Sequence, residues 1–221
     1  MKNYRKEELK TYVIANILLI IWLSDIMQYI LNAINEYSKT NIDLIVTPVL
    51  LSSIIYIYIF IADSIIPSEL KERIVFILKN RPGETIFTDM QNTSFKDSRF
   101  TQEQALNKYK DIYDEIGSIN DDGKKREIEN SKWYSIYLKY QENGSVSEAQ
   151  KDYLLSRDLC VISVVIFIAF VIISIFDLNI KNEPNICLVI LIEIGITMYA
   201  ANVKAKRFVT NVIARDINGK R

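Results

Sequence analysis

Apolar residues in this chain gather into four long blocks instead of alternating with polar residues at helix or strand intervals. The blocks occupy residues 11–34, 44–66, 159–176 and 186–203, and none contains a lysine or an arginine. At roughly 18 to 24 residues each, they have the length an α-helix needs to cross a hydrocarbon layer of ~30 Å. A water-soluble helix that long carries a charged stripe opposite its buried face, whereas these carry only scattered polar positions. The pattern predicts an all-α membrane protein with four transmembrane helices, arranged as two hairpins around a small, mainly helical insert.

The charges lie between the blocks and divide the chain. Residues 1–66 make an N-terminal tail and the first hairpin, 67–158 the insert, 159–203 the second hairpin and 204–221 a basic amphipathic tail. Lys2, Arg5, Lys6 and Lys10 precede the first block; Lys71, Arg73, Lys79 and Arg81 follow the second; Lys204, Lys206, Arg207 and Arg215 follow the fourth. The short loops "NEYSKTNID" and "DLNIKNEPN" hold one lysine each, Lys39 and Lys181. By the positive-inside rule, both termini and the insert are expected to be cytoplasmic. The first block is longer than a signal-peptide core and no small-residue cleavage site follows it, so it reads as a retained span.

Within the insert, "SELKERIVFILKN" has helical periodicity and reads as a continuation of the second span up to the "NRPG" turn. The following "ETIFTDMQNTSFKDSRF" reads as irregular or short extended structure. Thr101 and Gln104 stand at capping-box spacing before a helix running to Gly117, and Ser147 and Gln150 repeat that spacing before a helix that enters the third span. Between them, Ile128, Trp133, Ile136, Tyr137 and Tyr140 share an apolar face. An insert continuous with spans on both sides would let a binding event on it move helices in the membrane. In the tail, Phe208, Val209, Val212 and Ile213 share a face, which suits either an anchor on anionic lipid or packing against the insert or a neighbouring copy.

Charge narrows the function by its placement and not by its sum, because 27 basic and 27 acidic side chains balance. The chain has no histidine, which removes the usual zinc, haem and histidine acid–base sites, and neither a metal site nor a cofactor is expected. Cys160 and Cys187 fall at different depths of the third and fourth spans, so they are not expected to pair within one chain. The insert lacks a Walker loop, a G-x-G-x-x-G fingerprint, a nucleophile elbow and an EF-hand loop, and no enzymatic activity is expected. Its candidates for holding a phosphate-bearing ligand are Lys96 and Arg99 in "KDSRF" and Lys124, Lys125 and Arg126 in "DDGKKRE". With 15 basic and 17 acidic residues, the insert is not expected to bind nucleic acid directly, although Trp133, Tyr134, Tyr137 and Tyr140 leave base stacking open as an alternative to a core.

The candidate chemistry lies instead in the apolar blocks. Asp25, Gln28 and Asn32 share a face of the first span, Ser52, Tyr56 and Asp63 one of the second, and Glu193, Thr197, Ala200 and Lys204 one of the fourth. The third block has no polar face and is the expected lipid-facing member. Counting from the outer ends of their blocks puts Asp25 and Glu193 at nearly the same depth, ~12–14 Å in, where an ionised carboxylate costs on the order of 3 kcal/mol. Two readings stay open: protonated acids that fix helix register through hydrogen bonds, or acids that line a hydrated path repeated around a symmetry axis.

The order of hairpin, cytoplasmic insert and hairpin in a compact, Lys-, Ile- and Asn-rich chain resembles the small four-helix membrane effectors of bacterial antiviral operons. That resemblance implies a normally closed pore in the bacterial inner membrane and a partner enzyme whose nucleotide signal opens it. The expected function is therefore a homo-oligomeric membrane channel, gated by a cytosolic protein or nucleotide-type trigger acting on the insert. The alternative is a non-conducting anchor that recruits a cytosolic partner.

Overall fold

The structure, a computed structural model, describes residues 4–24, 42–92, 95–176, 180 and 182–219. Its helices are α1 (Tyr4–Leu23), α2 (Ile42–Ile65), α3 (Ser68–Val75), α4 (Ile86–Gln91), α5 (Gln102–Lys108), α6 (Lys110–Gly117), α7 (Asp122–Tyr140), α8 (Gly144–Ile175) and α9 (Glu183–Asn218), with a 3₁₀ turn at Pro82–Glu84. Among the described residues the one pairing of extended backbone is an isolated bridge between Asp97 and Phe100. The all-helical reading holds. The chain divides into two compact units, Met1–Val75 with Leu155–Ala200, and Phe76–Leu154 with Ala201–Arg221.

In the first unit, α8 and α9 are each long and apolar enough to cross a membrane, and α2 with α3 would make a third candidate if the bent pair were one span. The core follows a four-residue repeat: Leu9, Val13, Ile17 and Ile21 on α1, Ile162, Ile166 and Phe170 on α8, and Ile186 and Ile190 on α9. Residues at that spacing form one ridge along a helix, and ridges of this kind seat in the grooves of a neighbour. Outside the core the surface is apolar, with Leu50, Ile54, Ile57 and Ile61 on α2 and Leu188, Ile192, Ile196 and Tyr199 on α9 exposed. Water opposes such a surface and hydrocarbon does not.

Two expectations about this unit need correction. The second span does not continue straight through "SELKERIVFILKN": the axis turns by 99° between α2 and α3, and α3 ends at Val75. Pro67 is the cause, since it has no N–H and disfavours helical backbone at Ile66, while its carbonyl starts α3 by accepting from Leu70 and Lys71. Nor is the third block more exposed in the protomer than the fourth. Of the apolar stretch of α8, 39% is buried against 22% for α9. Cys160 and Ser163 of α8 are buried, whereas α9 turns a row of large apolar residues outward.

The second unit is built around aromatic rings. Phe208 of α9 packs edge-on to Trp133 and Tyr137 of α7, with centroids 5.5 and 5.4 Å away, and stacks on Tyr153 of α8 at 6.2 Å. Val209, Val212 and Ile213 are buried with it. The lipid-anchor reading of this stretch therefore gives way to packing against the insert, because its apolar face completes the unit's core. Gly83 is needed in that core: a Cβ there would come within 2.8 Å of Asn130 Oδ1 and 3.1 Å of the Trp133 ring.

Local details of the insert also differ from expectation. Part of the stretch read as irregular is helical, since Ile86, Phe87 and Met90 of α4 are buried on one face. The N-terminus of α4 is capped from a distance by Glu129, whose carboxylate accepts from Phe87 N (3.0 Å), Thr88 N (3.1 Å) and the Thr88 hydroxyl. The Thr101–Gln104 capping box forms as expected, but its helix breaks at Tyr109 into α5 and α6. Ser147 lies inside α8, where Asn143 takes the capping role by accepting from Ser145 N at 3.2 Å.

Truncating Phe208 to Ala is expected to destabilise the second unit by about 3–5 kcal/mol, the usual result of deleting a large buried ring. Urea unfolding of the detergent-solubilised chain, followed by Trp133 fluorescence in a Trp22→Phe background, measures the loss.

Candidate functional site

Three helices of the first unit bring polar side chains together inside their apolar stretches. From α1, Asn16 donates to the Glu193 carboxyl of α9 at 2.9 Å and to the Tyr12 carbonyl one turn back at 3.1 Å, which uses both its amide hydrogens. Tyr12 and Ser163 of α8 share a hydrogen bond of 2.6 Å between hydroxyls, and Ser163 also donates to the Leu159 carbonyl at 2.9 Å. The Tyr12 hydroxyl lies beside Glu193 as well. Thr197 lies one turn along α9 with Cys160 of α8 against it, but its hydroxyl donates to the Glu193 and Ile194 carbonyls of its own helix, not to the carboxyl.

Glu193 thus sits level with Asn16, nine positions before Asp25 in the sequence. Asp25, Gln28 and Asn32 lie outside the described residues. The end of α1 meets the start of α9 elsewhere, where Asn182, at a φ of 60°, begins α9 and donates from its side chain to the Leu23 carbonyl at 3.1 Å. Asn tolerates that left-handed conformation better than most residues. The seam partners Tyr12, Asn16 and Ser163 were missed from the sequence. Asn16 and Tyr12 do have the i, i+4 spacing that marks one helix face.

Asp63 belongs to a second group. Lys71 lies 2.6 Å from Asp63 and 3.8 Å from Asp158, and Arg157 contacts the same Asp158 oxygen at 3.0 Å. The side chains are 8% exposed for Lys71 and for Arg157, 13% for Asp63 and 0% for Asp158. On a straight helix residues eight apart would be ~12 Å apart along the axis. The turn at Pro67 is what brings Lys71 back onto Asp63. Two cations and two carboxylates make a neutral group at the ends of the apolar stretches of α2 and α8. From the sequence Lys71 read only as one of the basic residues flanking the second span, since burial leaves no mark on a single position.

In the second unit the expected ligand residues are held by different partners. Arg99 binds Asp97, donates to Asn211 of α9, and accepts from Asn218 at its carbonyl. Lys124 gives its backbone N–H to the Asp121 cap of α7, and Arg126 reaches Asn80 at 3.5 Å. Lys96 and Lys124 are exposed. The hydrogen bonds from Arg99 hold the Asp97 carboxyl below its ordinary value. Burial, followed by the charge of Asp216, raises the Tyr109 hydroxyl, which donates to Asp216 at 2.9 Å. Burial and the charge of Glu129 push Tyr113 up to about 12. Among the described residues no group of three or more metal-ligating side chains occurs. No protein-family model, curated protein or solved structure matches the chain.

Two outcomes follow for stability. Changing Lys71 to Ala leaves Asp63 and Asp158 short of a cation and is expected to cost about 3–5 kcal/mol. The double change with Asp63→Ala should cost less than the sum of the singles, which a double-mutant cycle on thermal unfolding reads directly. For Asp97, a folded value lowered from ~3.9 gives stability that is complete above that pH and is lost as pH falls through the lowered value. The Arg99→Gln chain should show a shallower acid limb in unfolding against pH. Because the Arg99 side chain is 40% exposed, the difference should stay within ~1 kcal/mol.

Proposed function

We propose that this chain is a membrane channel assembled from several copies and closed in the protomer described, with the second unit acting as the receiver of a cytosolic signal. The observation that carries the proposal is the contrast among the carboxylates that are buried or, like Asp63 and Glu193, half-buried. Asp63 and Asp158 are matched by Lys71 and Arg157, Asp216 lies 3.3 Å from Lys108, and Glu129 is set on a helix N-terminus. Glu193, in the middle of an apolar stretch, has the neutral amide of Asn16. A chain that supplies positive partners where carboxylates serve structure leaves this one available for a species that crosses the membrane.

In this reading α1 and α2 join α8 and α9 as spans, both termini and the insert are cytoplasmic, and Asp25, Gln28 and Asn32 add to the polar lining with Glu193 and Thr197. Four spans are few to enclose a path, so symmetry mates supply the rest of the wall, and no catalytic step is involved. The trigger is a protein or a phosphate-bearing ligand taken at Lys96, Lys124 and Lys125, with Arg99 and Arg126 beside them. The setting in antiviral defence at a bacterial inner membrane rests on the resemblance in layout alone.

One observation favours the anchor alternative: the Asn16 bond to Glu193 closes within one chain and could serve helix register only. Single-channel recording of purified protein in planar bilayers separates the two. Wild-type openings whose cation selectivity changes in Glu193→Gln and Asp25→Asn are expected. Silence of all three, with and without cell lysate as a source of trigger, supports the anchor.

A further inference from the structure

We propose that α3 is an interfacial helix: it lies along the surface of a lipid bilayer at the end of α2, with Leu70 and Ile74 turned toward the acyl chains. The partner is the bilayer itself, recognised by apolar contact and not by headgroup charge. This goes beyond the channel reading and shares with it only the placement of the first unit in a membrane.

Contacts between helices set the levels at which the two surfaces of that bilayer fall. At one end Lys71 reaches both Asp158 of α8 and Asp63 near the end of α2. At the other end Asn182, where α9 begins, donates to Leu23 at the end of α1. Ile175, which ends α8, is seventeen positions beyond Asp158, and that is ~26 Å of helix against the ~30 Å of a hydrocarbon layer. Between the two levels, residues 11–24, 44–62, 159–175 and 184–200 carry a single charged side chain, Glu193. Exposed aromatic side chains stand near both edges, Trp22 at the Asn182 end and Tyr199 sixteen positions along α9 from Glu183. Aromatic residues favour that depth, where apolar and aqueous layers meet. The ion group of Asp63, Lys71, Asp158 and Arg157 therefore marks the second surface.

At this level the chain turns by 99° between α2 and α3. A helix leaving a membrane-crossing helix at close to a right angle runs along the surface and not through it. The sides of α3 differ as that position requires. Lys71 and Val75, four residues apart, form its buried edge. At about 100° per residue, Leu70 and Ile74 stand on one flank of that edge, Ser68 and Glu72 on the other, and Glu69 and Arg73 opposite it. One flank is apolar and the other polar, so a helix held by its Lys71 edge has a side for acyl chains and a side for water. Leu70 is 46% exposed, and the exposed row of Ile57, Ile61 and Ile65 on α2 runs down to the turn itself. Lys71 is neutralised within the ion group, and the other charges of α3, Glu69, Glu72 and Arg73, sum to one negative charge. That sum does not attract an anionic headgroup, which leaves apolar burial as the source of the contact.

The test places one nitroxide spin label at a time on the full chain, in vesicles of phosphatidylcholine and in vesicles containing an equal part of phosphatidylglycerol. Cys187→Ser removes the more accessible thiol, while Cys160 is fully buried and stays unlabelled. Labels go to Leu70→Cys, Glu72→Cys and Ile192→Cys, the last in the exposed middle of the α9 stretch as a reference for membrane placement. Power saturation compares contact with oxygen, which concentrates in hydrocarbon, and with a nickel chelate, which stays in water. The oxygen-to-nickel ratio is expected to be highest at position 192, and several-fold higher at position 70 than at position 72, in both kinds of vesicle. Ile74→Cys, on the same flank, repeats the measurement if the Leu70 variant fails to fold. Water-like ratios at both 70 and 72 with a deep 192 would overturn the inference. Exclusion of both reagents at 70 would also overturn it, since protein would then cover that flank. A raised ratio at 70 only in the anionic vesicles would overturn apolar contact in favour of headgroup charge. A water-like 192 would remove the membrane placement and the channel reading with it. Silence in planar bilayers beside a deep 192 and an interfacial 70 would remove the channel reading alone.

Discussion

A carboxylate taken out of water must meet positive charge, meet oriented N–H groups, or keep its proton, and much of this structure is arranged around that constraint. Asp63 and Asp158 are met by Lys71 and Arg157, which requires the chain to turn sharply at Pro67. Glu129 is met by the first N–H groups of α4, and that contact ties α7 to the short helix packed on it. Replacing such a pair by apolar residues is often no less stable than keeping it, whereas removing one member is costly. The bend and the ion group are therefore best understood as one device that fixes the end of α2 to the start of the apolar part of α8.

The features legible in the sequence were those set by local composition over many residues. The apolar stretches of α8 and α9 announce themselves by length, and the Thr101–Gln104 box by two residues with a known mutual geometry. What the sequence hid were choices between equivalent local signals. Ser147 stood at capping-box spacing, but Asn143 caps α8, and Val146 and Ala149 of the first turns are buried in the core. Phe208, Val209, Val212 and Ile213 make the same stripe whether they meet lipid or rings. Glu129 carried no signal in the sequence, because its partners lie 41 and 42 residues away.

The candidate site was half visible for a related reason. Glu193 stands out in "ILIEIGIT" as the one acid of its block, but the partner it finds is an asparagine whose importance depends on which helices pack together. Polar residues in apolar helices are readable one at a time; hydrogen-bonded chains among them are properties of the packed bundle. The pairing of Tyr12 with Ser163 crosses 151 residues of sequence. No period or motif reports a contact of that range.

The division of the second unit has a consequence for how the protein is made. Its ring cluster needs Trp133, Tyr137 and Tyr153, but also Phe208, and residues 155–200 are translated in between. During synthesis the insert therefore emerges with an open apolar slot on α7. It has to wait in that state while two helices long and apolar enough to cross a membrane are made. The slot can be closed only after Phe208 to Ile213 have been made, so the core of this unit is completed late although the unit begins near the middle of the chain. A nascent chain with such an open slot is exposed to aggregation until the slot is filled, which makes the time taken to produce the intervening apolar helices part of its folding mechanism.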